Sequence, residues 1–219
     1  MNIIKQSATL EFVTPNALEF IERMGRVCYK SENLITPGSA KEFVKMIMNP
    51  DKKHESVIEH AYATFRFITD RGVTHEIVRH RIASYSQEST RYCNYSKNKF
   101  GNELTMILPV WFYGVEESGD MALLHRYNSW LEAMKNDEMY YFNSLSLGDV
   151  AQQARDILPN SLKTEIIMTA NLREWRHFFA LRCAPSAHPQ MRELAIQALK
   201  QLHAEVELLF DEYYDKYCI

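Results

Sequence analysis

The sequence predicts an α+β fold, with mixed helices and a β-sheet in one compact domain over residues 1–219. Three observations predict it. Apolar residues recur at helical spacing over several long stretches, and two short segments are rich in β-branched and aromatic residues. With 46% hydrophobic and 12% aromatic residues the chain can bury a large core, and no linker or internal repeat divides it.

The elements follow in order. Residues 14–30 place Ala17, Phe20, Met24 and Val27 on one face after Thr14-Pro15, a good helix start. A second helix is expected near 38–49, where Phe43, Val44, Ile47 and Met48 follow Pro37 and Gly38. Residues 61–68 (Ala-Tyr-Ala-Thr-Phe-Arg-Phe-Ile) read as a strand. Asp70 then resembles a cap for a short helix over 73–82, which delivers Arg79, His80 and Arg81 into a polar loop. Helices are expected at 119–142 and 148–157, the second stopped by Pro159. Residues 165–170 suit a buried strand, Asn171 caps a helix over 172–182, and a long amphipathic helix runs over 189–214.

The formal charge of -3 argues against a protein that coats nucleic acid. Cys28, Cys93, Cys183 and Cys218 form no CxxC pair, so reduced cysteines in a cytoplasm are expected rather than a disulfide scaffold or zinc ribbon. Met1 to Leu10 lack the apolar run of a secretory signal, and no stretch approaches the length of a membrane-spanning helix. The expectation is a cytoplasmic protein with no membrane partner.

Neither GxGxxG nor GxxxxGK[ST] occurs. His75-Glu76-Ile77-Val78-Arg79 starts like the zinc-protease HExxH but has an arginine where the second metal-binding histidine belongs, so no metal is expected. The concentrated signal is Arg79 to Arg91, with three arginines, a histidine, three serines and a glutamine in thirteen residues. Guanidinium groups bind phosphate oxygens in pairs, while serine and glutamine can read the edge of a base. A generic Arg-His-Arg tripeptide more often belongs to a solvated basic loop, and composition alone does not decide between the two.

The ordered pattern Arg79-His80-Arg81, seven residues, Ser89-x-Arg91 resembles the signature of flavin-dependent thymidylate synthases. The resemblance spans most of the chain: His54-Glu55-Ser56-Val57-Ile58-Glu59-His60, Arg155 in Ala-Arg-Asp-Ile-Leu-Pro, Asn171, His177 and Arg182 match in order. It implies that FAD is held by Arg79, His80 and Arg81, by Ser56 and Gln87, and by Asn171, Leu172, Arg173 and His177. It also implies that deoxyuridine monophosphate (dUMP) is contacted by Glu76, Arg79, Gln87, Glu88, Ser89, Thr90, Arg91, Arg155 and Arg182. Among these, Arg91 and Arg155 are the phosphate candidates and Arg182 the catalytic residue that activates the pyrimidine. His54 would orient the folate or the flavin ring. The implied reaction moves a methylene from methylenetetrahydrofolate to C5 of the uracil, with NADPH as reductant, in a homotetramer with active sites at subunit contacts.

Each assignment has a plainer competitor. Arg155 suits a surface ion pair, His177 stands beside Phe178 and Phe179 as a packing residue would, and His54 fits an ordinary core or loop position. Cys183 tempts a nucleophile assignment, although a lone cysteine is more often a small buried residue. Two departures from the family pattern stand out: His188 replaces a frequent glutamine, and Gln87 precedes Glu88 where some relatives place a carboxylate first. The rival reading from another class is an RNA-binding module built on 79–99, with Tyr85, Tyr92 and Tyr95 as stacking platforms. The acidic balance weighs against it.

Overall fold

The computed structural model describes residues 1–49, 51 and 54–219. In chain order it contains β1 (Asn2–Ile4), β2 (Ser7–Val13), α1 (Ala17–Arg26), α2 (Ser39–Ile47), β3 (Tyr62–Asp70), α3 (Arg71–Ile77) and β4 (Ala83–Gln87). There follow β5 (Thr105–Ile107), α4 (Met121–Ser146), α5 (Ala151–Ala154), β6 (Lys163–Asn171), α6 (Leu172–Arg182), α7 (Pro189–Glu205) and α8 (Glu207–Tyr217). A four-stranded sheet has the order β2-β3-β6-β4, and β1 pairs with β5 in a separate two-stranded sheet. The architecture is α+β, as the periodicities predict.

The chain forms two compact units, each gathered from three stretches: Met1–Ser7, Ile68–Ile77 and Ser86–Ile166 in the first, Ala8–Phe67, Val78–Tyr85 and Ile167–Ile219 in the second. In the second unit, β3 alternates strictly, and Ala63, Phe65 and Phe67 are fully buried. The matching face comes from α6, whose Trp175, Phe178 and Phe179 are also fully buried. Phe65 meets Trp175 edge to face with ring centroids 4.9 Å apart, and the indole N–H donates to the Ala63 carbonyl at 3.0 Å. Edge strand β2 is covered by α7: the Ala8 and Leu10 amides donate to Gln197 and Gln201 at 3.1 and 2.9 Å. Gly25 of α1 is needed for close approach to α2, because a Cβ there would lie 2.4 Å from the Phe43 ring.

In the first unit, β1 and β5 run parallel in the register Asn2↔Thr105 to Ile4↔Ile107. Its core gathers Tyr95, Leu104, Met106, Tyr141 and Leu162. Asp70 caps α3 by accepting the Val73 amide at 2.7 Å, and Asp120 caps α4 by accepting Ala122 and Leu123 amides at 2.9 and 3.0 Å.

Several expectations need correction. The first helix starts only at Ala17, since Asn16 is left-handed (φ 48), and its regular part ends at Arg26. The helix expected over 73–82 stops at Ile77, so Arg79, His80 and Arg81 lie beyond it. The loop expected after them contains strand β4, whose outward Ser84 and Ser86 alternate with half-buried Ala83, Tyr85 and Gln87. The C-terminal helix breaks at Val206, whose backbone leaves the helical region (φ -142, ψ 65) and whose side chain is buried, so α7 and α8 are separate. Strands β1, β2 and β5 were not expected.

Trp175→Ala would leave a large void between β3 and α6 and should cost about 3–5 kcal/mol. Urea unfolding of the variant measures this, and a loss below about 1 kcal/mol would show that the indole does not anchor the layer.

Candidate functional site

Helix α6 arranges the chemistry of the second unit. Asn171 begins it, accepting the Glu174 amide on its side-chain oxygen at 2.8 Å. Glu174 therefore lies in the first turn, where the helix dipole favours a carboxylate, and Arg182 lies in the last turn, where it favours a cation. Between them sits the imidazole of His80. Its Nδ1 is 3.0 Å from Glu174 Oε1, and its Nε2 accepts from Arg182 Nε at 3.0 Å. The His80 ring is packed by Phe178 and His177, with centroids at 4.9 and 5.6 Å. Tyr85 of β4 donates to the His80 carbonyl at 2.6 Å, which holds the backbone as well.

The tautomer follows from the donors. Arginine Nε–H can only donate, so His80 Nε2 must keep its lone pair, and the ring proton belongs on Nδ1, donated to Glu174. His80 is thus neutral, and its contact with Glu174 is a hydrogen bond rather than an ion pair. Burial, followed by the nearby Arg182 and His177, pushes its pKa down to about 4. Burial pushes Glu174 up, and burial together with the Glu174 carboxyl pushes Tyr85 up to about 12, so the phenol stays a donor. His80, Glu174 and His177 bring potential ligand atoms within 4.8 Å of one another, but the Arg182 N–H occupies one of those lone pairs and its charge opposes a cation.

A cavity of about 560 Å³ in the same unit is lined by Asn171, Arg173, Glu174, Arg176 and His177, with Glu55 beside Arg173 and Arg176 at 3.6 and 3.7 Å. Three of the four residues in the second flavin group thus share one wall. Arg173 pairs with Glu59 at 2.6 Å, and Arg176 pairs with Glu212 and donates to the Leu209 carbonyl. Leu172 is fully buried, its amide donated to Ala61 at 2.8 Å. His54 and Ser56 are exposed. Arg79 and Arg81 are also exposed, and neither is paired with a carboxylate among the described residues.

In the first unit, Gln87 donates to the Thr74 and Thr164 hydroxyls at 3.1 and 3.4 Å. Glu88 accepts from the Tyr95 hydroxyl at 2.9 Å and pairs with Lys163 at 3.0 Å. Ser89 accepts the Arg91 amide at 3.3 Å, Thr90 is buried, and the exposed Arg91 guanidinium lies 5.3 Å from the Tyr92 ring centroid. Glu76 is half-buried on α3, and among the described residues exposed Arg155 has only a loose ion-pair contact, with neighbouring Asp156 at 3.9 Å.

Sequence reasoning did not single out Glu174, Arg176, Lys163 or Thr74. Glu174 had one available signal: it stands three residues after the capping Asn171 and three before His177, on one side of the helix. The RNA-binding alternative loses its platform, because Tyr95 is 5% exposed and Tyr85 is half-buried, which leaves Tyr92 alone in solvent at 77%.

A sequence profile described as "Thymidylate synthase complementing protein" matches residues 9–206. The chain belongs to the flavin-dependent thymidylate synthase family. Such a synthase from Mycolicibacterium gilvum is 34% identical over 209 residues, covering 88% of this chain and 78% of its own length. One from Pyrococcus abyssi is 37% identical over 156 residues, covering 71% and 60%. In three dimensions the chain resembles Helicobacter pylori thymidylate synthase X, solved with FAD and dUMP, with a TM-score of 0.74 over 95% of this chain and 98% of that one. At 22% identity that likeness establishes the fold. The family is one of methyltransferases, and the Arg79-His80-Arg81 segment of this chain contributes His80 to a partly buried chain of hydrogen bonds.

The lowered pKa of His80 has a definite sign. The unfolded chain binds this proton more readily, so the stability contributed by burying the neutral ring is complete above pH 6.5 and is lost as pH falls toward about 4. Raised Glu174 acts in the opposite sense. The difference in unfolding free energy between the wild type and His80→Asn should therefore shrink over this window, whereas a difference independent of pH would contradict the assignment.

Proposed function

We propose that this chain converts dUMP to thymidylate, taking the methylene of methylenetetrahydrofolate and releasing tetrahydrofolate. Bound FAD, reduced by NADPH, would supply the hydride that completes the methyl group. The observation that carries the reading is the Glu174–His80–Arg182 chain, buried at Glu174 and His80, beside a cavity lined by Asn171, Arg173 and His177.

The residues suit the cofactor. Arg173 and Arg176 already have carboxylate partners, so their cavity favours a flat, hydrogen-bonding ring over a bare phosphate. Arg79 and Arg81, exposed and unpaired with carboxylates, suit the flavin phosphates that a glycine-rich loop holds elsewhere. Ser56, His80, Leu172 and Gln87 complete the proposed flavin set, with His54 orienting folate or flavin. Gln87 takes that contact from the family resemblance; Thr74 and Thr164 hold its amide as Tyr95 and Lys163 hold Glu88. For dUMP the proposal keeps Glu76, Arg79, Gln87, Glu88, Ser89, Thr90, Arg91, Arg155 and Arg182, with Arg91 and Arg155 on the phosphate.

Arg182 activates the pyrimidine by stabilising negative charge on the N3/O4 side of the ring, which makes C5 nucleophilic. It does not remove the proton, because arginine stays protonated. Cys183 does not attack C6: it is fully buried and its thiol is pushed up to about 12 by that burial. The proposal extends to one functional domain over 1–219, working in the cytoplasm as a homotetramer with shared sites. No helix among the described residues is long and apolar enough to cross a membrane.

The test is direct. Purified protein should carry flavin absorbance and form thymidylate from dUMP when given methylenetetrahydrofolate and NADPH; a colourless protein that takes up no FAD and makes none would overturn the proposal. Within the active enzyme, Arg91→Ala should weaken dUMP binding about 10- to 150-fold, the equivalent of roughly 1.5 to 3 kcal/mol for charge-assisted hydrogen bonds, with FAD content unchanged.

A further inference from the structure

Arg182 is the last residue of α6, and a long side chain at a helix end has many rotamers. The proposed activation of the pyrimidine requires one of them, because stabilisation of a developing charge depends on donors held in place beforehand. The contact that addresses this is Arg182 Nε to His80 Nε2, at 3.0 Å. It engages the Nε edge of the guanidinium and so sets the plane of the group. It exists only while Nε2 carries a lone pair.

An imidazole in isolation has two neutral tautomers, and the partners of its nitrogens decide which is populated. Beside the Arg182 N–H on Nε2, the second partner is Glu174, with Oε1 3.0 Å from Nδ1, its side chain 9% exposed and the His80 side chain 2% exposed. Glu174 is in turn fixed at the helix start, where its own amide is held by Asn171 at 2.8 Å. The two ends of the chain belong to the same helix. They stand eight positions apart, a rise of about 12 Å, and the imidazole bridges alongside. Helical side chains lean toward the N-terminus, so Arg182 reaches back to meet the ring.

We propose that Glu174 is a positioning residue: by accepting the Nδ1 proton of His80 it keeps Nε2 open and so fixes the direction of the Arg182 guanidinium. This rests on the reading of Arg182 as the group that activates dUMP. Without the acceptor at Glu174, the ring is free to carry its proton on Nε2, where it faces the Arg182 N–H donor to donor. The Arg182–His80 hydrogen bond is then lost. The acceptor matters rather than the negative charge, which separates this role from proton transfer or metal binding by the same carboxylate.

The experiment uses FAD-loaded enzyme and four substitutions. Glu174→Ala should lower kcat for flavin oxidation in the presence of dUMP and methylenetetrahydrofolate by about 10- to 100-fold, the range for removing a partner that orients a working group. Reduction of flavin by NADPH should stay within about twofold. Glu174→Gln keeps an acceptor oxygen and should recover kcat to within about threefold of wild type. Nitrogen-15 NMR of His80 supplies a readout apart from activity: the proton should sit on Nδ1 in wild type and Glu174→Gln and move to Nε2 in Glu174→Ala. If Glu174→Ala does not fold, Glu174→Asp, one methylene shorter, should show the same displacement of the proton and a reduced kcat. A Glu174→Gln enzyme as slow as Glu174→Ala, or a His80 tautomer indifferent to residue 174, would overturn the proposal. Arg182→Lys separates its failure from that of the underlying reading. Wild-type flavin oxidation in Arg182→Lys would remove the role of Arg182 itself, whereas a slow Arg182→Lys beside an unimpaired Glu174→Ala would remove only the role of Glu174.

Discussion

A guanidinium can donate hydrogen bonds and cannot accept them, and that constraint organises the second unit. Arg182 Nε–H on His80 Nε2 requires a neutral ring, a neutral ring with that lone pair open requires its proton on Nδ1, and a buried Nδ1–H requires the Glu174 acceptor. Each group is satisfied by the next. Leaving any one of them buried without a partner would cost about 1–3 kcal/mol, so the chain of contacts is self-enforcing. Burial of the ring, which pushes the His80 pKa down to about 4, is therefore part of the arrangement.

The same helix serves the core and the chemistry from different faces. Trp175, Phe178 and Phe179 lock α6 onto the sheet, while Asn171, Arg173 and His177 share a cavity wall. Phe178 belongs to both, because its ring touches Phe67 of β3 and His80. The packing of Phe178 thus transmits the rigidity of the sheet to the imidazole. Helix α6 supplies both ends of the chain of contacts, and the connection between α3 and β4 supplies the imidazole between them.

Much of this was legible in the sequence where signals are local. The limits of α6, its Asn171 cap and the capping role of Asp70 can be read from residue types and spacing alone, and the alternation of 61–68 marks β3. β4 escaped because Ser84, Ser86 and Gln87 make an alternating strand that is polar on both faces, without the apolar rhythm that identifies strands. The break between α7 and α8 escaped because no glycine or proline marks Val206. At the site, the Arg-His-Arg segment identifies His80 as important but cannot reveal that its partner is ninety-four residues away at Glu174. Such pairings come from the tertiary fold. Local sequence contains only hints of them, such as the placement of Glu174 between Asn171 and His177.

The central claim is that neutral His80 receives the Arg182 N–H. A hydrogen bond between two nitrogens transmits a scalar coupling, so the direct measurement is a cross-hydrogen-bond nitrogen–nitrogen coupling between Arg182 Nε and His80 Nε2 in nitrogen-15-labelled protein near neutral pH. The account predicts a resolved coupling between these two nuclei, with His80 Nε2 unprotonated. A proton found directly bonded to His80 Nε2, with no coupling to Arg182, would contradict it.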